Sequence, residues 1–227
     1  MYIYHWLSTK KNQDLDTIFV MISMLVDICP VWKSASRMMN LKYFHSNKTM
    51  SFLLNPHLDL TISRIETARC VLVPFSLDGW VDIHELQEEF CKAYKNLWVS
   101  SILPTYEQEV EYVRASEEKI SRGEEFENFI LDKKTNRLIG AWGLRILESK
   151  ELNIGIWIRE NEQWKWYASE VYEALIAWAR ENTSYIHLKH SLNPENIWSR
   201  RLVEKFGGIL QKEQTKSGHD IYHIPLR

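Results

Sequence analysis

After residue 50 the spacing of apolar positions changes period several times, and each change marks an element. Cys70, Val71, Leu72 and Val73 form an apolar, partly β-branched run that ends at Pro74, so residues 69–74 read as a strand. Over residues 82–94, Ile83, Leu86, Phe90 and Ala93 recur at helical spacing. Residues 105–122 predict a second helix, with Val110, Val113 and Ile120 on one face and Thr105 followed by Gln108 in the pattern of a capping box. Two apolar runs, 126–131 and 138–147, flank the polar stretch Asp132 to Asn136 and predict a hairpin. Next come a strand at 152–158, a helix from Ser169 with Val171, Leu175, Trp178 and Ala179 on its inner side, and a strand at 185–192. A helix at 196–206 is stopped by Gly207 and Gly208, and strands at 209–210 and 220–224 flank a turn at 216–219. That order describes one mixed α/β (α+β) domain over residues 50–227. Residues 1–49 lack this rhythm and are set apart as an N-terminal extension.

The bulk chemistry narrows the function classes. The chain has 227 residues, 45% hydrophobic and 26% charged, enough for one well-buried domain with an appendage. A net charge of -2 and a pI near 6.5 give no electrostatic case for binding nucleic acid. Cys29, Cys70 and Cys91 are odd in number and widely spaced, so they form neither a disulfide framework nor a zinc pattern, and they suit a reducing cytoplasm. No stretch approaches the ~20 apolar residues of a membrane span. The run at 18–26 is short, is followed by Asp27 and lacks a small-residue cleavage site, which argues against membrane insertion and secretion.

The candidate chemistry begins at residues 163–170. Gln163, Trp164, Lys165, Trp166, Tyr167, Ala168, Ser169 and Glu170 lie between a strand and a helix. The first backbone N–H groups of a helix have no internal partner and the helix dipole favours negative charge there, so this is a natural anion loop. Such loops favour glycine, because the backbone comes close to phosphate and can need φ > 0. Tryptophan stands here twice. The chain holds 8 glycines and 10 tryptophans, where an average of about 7% would give roughly 16 glycines.

The element order and four motifs resemble the GNAT superfamily of acetyl-CoA-dependent N-acetyltransferases, and within it the RimJ/RimL type of ribosomal-protein N-terminal acetyltransferase. The motifs are Glu66 to Leu72, like T-x-R-L-x-L; Ile139-Gly140-Ala141-Trp142-Gly143-Leu144, like I-G-x-x-G-L; Gly155 to Ile158 with Gln163 to Glu170, like the strand and the acyl-CoA loop; and Asn196 to Gly207, like N-x-x-S-x-x-x-x-E-K-x-G. The resemblance implies a GNAT fold, with a mixed central sheet, a splayed strand pair and flanking helices. It implies acetyl-CoA as cosubstrate and no metal. The coenzyme pyrophosphate would lie on Gln163, Trp164, Lys165, Trp166, Tyr167, Ala168 and Ser169. Its pantetheine arm would run beside Ile156, Trp157 and Ile158, where an N–H polarises the thioester carbonyl. Asn196 would contact that arm, and Ser199 would protonate the departing thiolate. The resemblance places a general base near Glu213, although Gln214 stands at the ungapped position and Asn153 where relatives often carry glutamate. The implied reaction is direct attack of a primary amine, a protein N-terminus in this branch; alternatives are a small-molecule amine or a silent CoA-binding module.

Several residues carry plainer readings beside these. Asn196 is equally a helix N-cap, and Glu204-Lys205 a surface pair. Glu117, Glu118, Glu124 and Glu125 form a solvated face or draw in a cationic amine. His187 and His190, three apart on a strand, point to opposite faces with no third metal ligand near in sequence. For Trp142, Trp164, Trp166 and Trp198 three readings stand. They are tryptophan with the loop rings turned to solvent, they mark a decayed site, or they are glycine codons written as tryptophan under another genetic code.

Overall fold

The computed structural model describes residues 53–55, 57–94, 103–146, 151–215 and 218–227; the extension over 1–49 and the first two residues of the turn expected at 216–219 lie outside them. In chain order the elements are β1 (Ile65–Glu66), β2 (Cys70–Pro74), α1 (Ile83–Tyr94), α2 (Tyr106–Ser121), β3 (Glu125–Asp132), β4 (Leu138–Ile146), β5 (Leu152–Ile158), a 3-10 turn (Glu160–Glu162), α3 (Tyr167–Asn182), β6 (His187–Leu192), α4 (Ile197–Lys205), β7 (Ile209–Gln214) and β8 (Asp220–Pro225). Helix α2 begins where the sequence signals it. Thr105 accepts from the Gln108 N–H, and the Gln108 side chain accepts from the Thr105 N–H. Helix α3 starts at Tyr167, two residues before the Ser169 that the sequence favours, because Trp166 ends the loop in a left-handed conformation. Strand β1 has two residues, too few for any period to show.

The strands form one eight-stranded sheet in the order β1-β2-β3-β4-β5-β6-β8-β7. Neighbours from β1 to β5 are antiparallel, β5 and β6 are parallel, and β6-β8-β7 is again antiparallel. Alternation sends Phe126 toward Trp178 of α3, and His190 toward Tyr172 of α3. Helix α4 shares that face, with Glu204 reached by the Tyr222 hydroxyl. The opposite face meets α1 and α2 through Phe90 on Trp157 and Tyr112 on Arg145. At Gly143 no side chain fits, since a Cβ would lie 2.2 Å from the Glu127 carboxylate, which Arg145 holds at 2.5 Å. Among the described residues no helix is long and apolar enough to cross a membrane.

His190 is a buried polar group with one described partner: its Nδ1 lies 2.7 Å from the Tyr172 hydroxyl, which can donate only to a neutral ring. Burial holds its pKa down at about 4 against an ordinary 6.5. The unfolded chain therefore binds the proton first, so His190 contributes stability that is complete above pH 6.5 and lost as pH falls toward 4. Denaturant unfolding of the wild type should lose on the order of 3 kcal/mol more across that window than unfolding of His190→Gln. Parallel slopes for the two proteins would show that His190 is not the source.

Candidate active site

The loop between β5 and α3 is tied down on three sides. Gln163 Nε2 donates back to the Ile158 carbonyl at 3.1 Å, so this side chain closes the end of β5. Lys165 Nζ pairs with Glu162 at 3.0 Å, and Arg137 holds the other Glu162 oxygen. Arg69 links loop to helix: its Nη1 donates to the Lys165 carbonyl at 2.9 Å, and its Nε to Glu170 at 2.7 Å. Thr67 and the Arg69 backbone N–H complete the shell around the Glu170 carboxylate. The first helical bond runs from the Glu170 N–H to the Trp166 carbonyl, and Trp166 offers no side-chain cap. The N–H groups of Tyr167, Ala168 and Ser169 are thus the orphan donors of α3, the arrangement that receives an anion.

Two tryptophans stand on left-handed backbone in this loop. Trp164 has φ +69° and Trp166 φ +68°, both left-handed. The other residues with positive φ among those described are Gly79, Gly123, Gly207, Gly218 and Asn136. Both rings turn outward, 64% and 71% exposed. A bulky L-residue in this conformation costs roughly 1–2 kcal/mol per site, from contact between its Cβ and the following carbonyl. Trp142 differs: it fills the core against Phe126, with its indole N–H and the side chain of Asn128 opposite it unpaired among the described residues.

The loop faces α4 across a gap in the sheet. Asn153 with Lys189 is the single rung described between β5 and β6; beyond it, the edge of β5 through Ile156, Trp157 and Ile158 has no ladder to β6. The Trp164 ring meets the Trp198 ring edge-on at 4.1 Å, so the start of α3 and the start of α4 stand on either side of that gap. Asn196 caps α4, its Oδ1 accepting from the Ser199 N–H at 3.0 Å, and leaves its amide NH2 for other contacts. Ser199 is half-buried in the first turn. Glu213 is not brought to this gap: it is exposed on β7, the outermost strand, two strands away from β6.

Two further sets of titratable groups lie apart from the loop, Glu109 on α2 and a separate cluster on β6 and β8. Glu109, in the first turns of α2, is buried, and desolvation pushes its carboxyl up to about 7. His187, which had no visible partner in sequence, stacks on His223 at 3.9 Å with 14° between the planes. Glu151 lies beside both, 3.3 Å from His223 Nε2 and 3.9 Å from His187 Nε2, and its other oxygen takes Lys189 Nζ at 2.8 Å. These three residues could present ligand atoms to a metal, but the near-parallel rings keep their lone pairs from converging on one ion without rotation. Only the alternation of β6 hinted at the cluster, by separating His187 from His190.

The sequence matches the family model described as an acetyltransferase (GNAT) domain over residues 69–209. No curated protein matches it. Among solved structures, an acetyltransferase from Agrobacterium tumefaciens is 18% identical, with a TM-score of 0.60 over 74% of this chain and 98% of that one. RimL, a ribosomal L7/L12 alpha-N-protein acetyltransferase in complex with coenzyme A, is 17% identical, with a TM-score of 0.59 over 71% of this chain and 96% of that one. The microcin C7 self-immunity acetyltransferase MccE, in complex with acetyl-CoA and AMP, is 16% identical, with a TM-score of 0.58 over 70% and 93%. The family match spans more than half of the chain, and the chain belongs to the acetyltransferase (GNAT) domain family, with acetyl-CoA as its cosubstrate.

Proposed function

We propose that the chain transfers the acetyl group of acetyl-CoA to a protein N-terminal amine by direct attack, without a covalent enzyme intermediate. The observation that carries this reading is the gap past the Asn153–Lys189 rung, with the orphan N–H groups of α3 on one side and Asn196 and Ser199 on the other. The pyrophosphate sits on the N–H groups of residues 167–169, and the pantetheine arm lies along Ile156 to Ile158. Backbone N–H on that free edge polarises the thioester carbonyl. Asn196 holds the arm through its amide NH2, and Ser199 gives a proton to the leaving thiolate, whose thiol pKa near ~8.5 asks for no strong acid.

Basicity supports an N-terminal acceptor. An α-amino group has a pKa of about 7.7–8.0 and an alkyl amine about 10.4. The sheet face beside the Asn153–Lys189 rung carries His223, an imidazole that burial holds below its ordinary value, a base suited to the weaker amine. RimL, a ribosomal-protein acetyltransferase of the same fold, agrees with this choice.

Thiol release from acetyl-CoA, followed with a peptide bearing a free N-terminus, the same peptide blocked at Nα but carrying lysine, and a polyamine, tests the acceptor. Turnover should be highest with the free N-terminus; preference for the polyamine replaces this reading with small-molecule acetylation. Ser199→Ala should lower kcat about 10²-fold while leaving coenzyme affinity within about twofold. Unchanged kcat removes Ser199 from the mechanism.

A further inference from the structure

Glu213 lies two strands out from the gap, and the other face of the sheet carries an imidazole at the level of the Asn153–Lys189 rung itself. Arg145, Asn153, Lys189 and His223 are successive cross-strand partners, so they share one face, the one that carries Tyr112 of α2. Helices α3 and α4, which border the coenzyme side, pack on the opposite face. An amine that attacks the thioester must come from the side the coenzyme leaves open, and so across this row beside the rung. We infer that His223, stacked on His187 and oriented by Glu151, takes the proton of the acceptor ammonium; this rests on the transferase reading above.

The geometry suits that task. Glu151 is fixed by Lys189 on one oxygen and turns the other to both imidazoles. The side chains of His187, His223 and Glu151 keep 29%, 28% and 26% of their surface, enough for a substrate or one water to reach them. Stacking at 3.9 Å disfavours two imidazolium charges, so the pair accepts one proton. Burial, and then His187, lower the His223 pKa, which leaves the ring unprotonated at neutral pH. The charged groups facing it are Glu151, His187 and Lys189; Arg145 with Glu127, and Glu109 of α2, lie further along the same face.

Atoms balance as follows. The ammonium gives one proton to His223, and the neutral nitrogen forms the C–N bond at the carbonyl carbon. The C–S bond breaks with its electron pair on sulfur. The sulfur takes a proton from the Ser199 hydroxyl, which regains one from the new amide nitrogen. The products are the N-acetyl amide and free thiol, and His223 returns its proton to solvent.

His223→Gln, His187→Gln, Glu151→Gln and Glu109→Gln should be compared by kcat/KM against pH with the free-N-terminal peptide, and by calorimetry with acetyl-CoA. His223→Gln should keep coenzyme affinity within about twofold, lose about 10–100-fold in kcat/KM at neutral pH, and recover toward alkaline pH as the free amine supplies itself. A His223→Gln profile that superposes on the wild type overturns the inference, as does loss of the acid limb in Glu109→Gln alone. Coenzyme binding by the wild type without thiol release from any amine sinks the transferase reading instead.

A separate observation supports a second inference. Every other left-handed position described is glycine or asparagine, whereas Trp164 and Trp166 place exposed indoles on such a backbone at the mouth of an anion cradle. Trp157 and Trp178, by contrast, pack against Phe90 and Phe126. The geometry points to glycine at positions 164 and 166 in the living protein, from a codon that its organism reads as glycine. Trp142 stays outside this inference, because its removal would empty the core. The coding DNA decides: codons at 164 and 166 that differ from those of Trp157 and Trp178 support it, and shared codons overturn it. Trp164→Gly with Trp166→Gly should raise Tm by about 2–4 °C and tighten acetyl-CoA binding about tenfold. A double variant with lower Tm and weaker coenzyme binding contradicts the backbone argument.

Discussion

Strands β5 and β6 run parallel, share the rung between Asn153 and Lys189, and then part. In an ordinary sheet the exposed edges beyond that rung would be a liability, since unpaired N–H and C=O groups seek partners. In the proposed reading they form the walls of the site. The separation frees the edge of β5 for a linear ligand and lets α3 and α4 present their first turns to the same gap. It also joins the two faces of the sheet at one point, which in the proposed mechanism lets a coenzyme on one side meet an amine on the other. The antiparallel ladders on both flanks keep the opening from closing, with β4 bound along all of β5 and β8 bound along all of β6.

Local ion pairs stabilise the cradle while leaving its donors free. Glu170 is the acid of the first turn of α3, where the dipole favours a negative charge. Arg69, Thr67 and the Arg69 N–H engage its oxygens, so the carboxylate is turned toward β2 and away from the anion loop. Arg159 plays a similar part below, buried and shared among Glu85, Glu89 and the Leu138 carbonyl, which fixes α1 against the end of β5. Both arginines carry strong fork-shaped donors, and both are used to position backbone.

Much of the fold could be read from period and punctuation. Thr105 with Gln108, Asn196, and Gly207 after Phe206 marked helix ends that the structure keeps within a residue. The hairpin of β3 and β4 followed from alternation around a polar turn. Strand β1 escaped because two residues carry no rhythm, and α3 began early because Trp166, a residue without any capping preference, takes the capping position. The placement of Asn196 and Ser199 together at the start of α4 was legible because motif spacing along one helix survives folding. The Gln163 side chain turns back to close the end of β5, a direction that no spacing in the sequence shows. The base proposed here had no local signal: Glu213 is near in sequence register and lies on the outermost strand, while Glu151, His187 and His223 come from three separate segments.

The sequence by itself determined the order of elements, the anion loop before α3, and the family whose motifs it carries. These depend on local spacing, which an unfolded chain already contains. Tertiary structure decided where β5 and β6 part, which face each histidine serves, and that Trp164 and Trp166 stand on left-handed backbone. The first two arise from pairing between strands far apart in the chain, which no local pattern encodes, and the third from a loop pinned by Arg69 and Glu162.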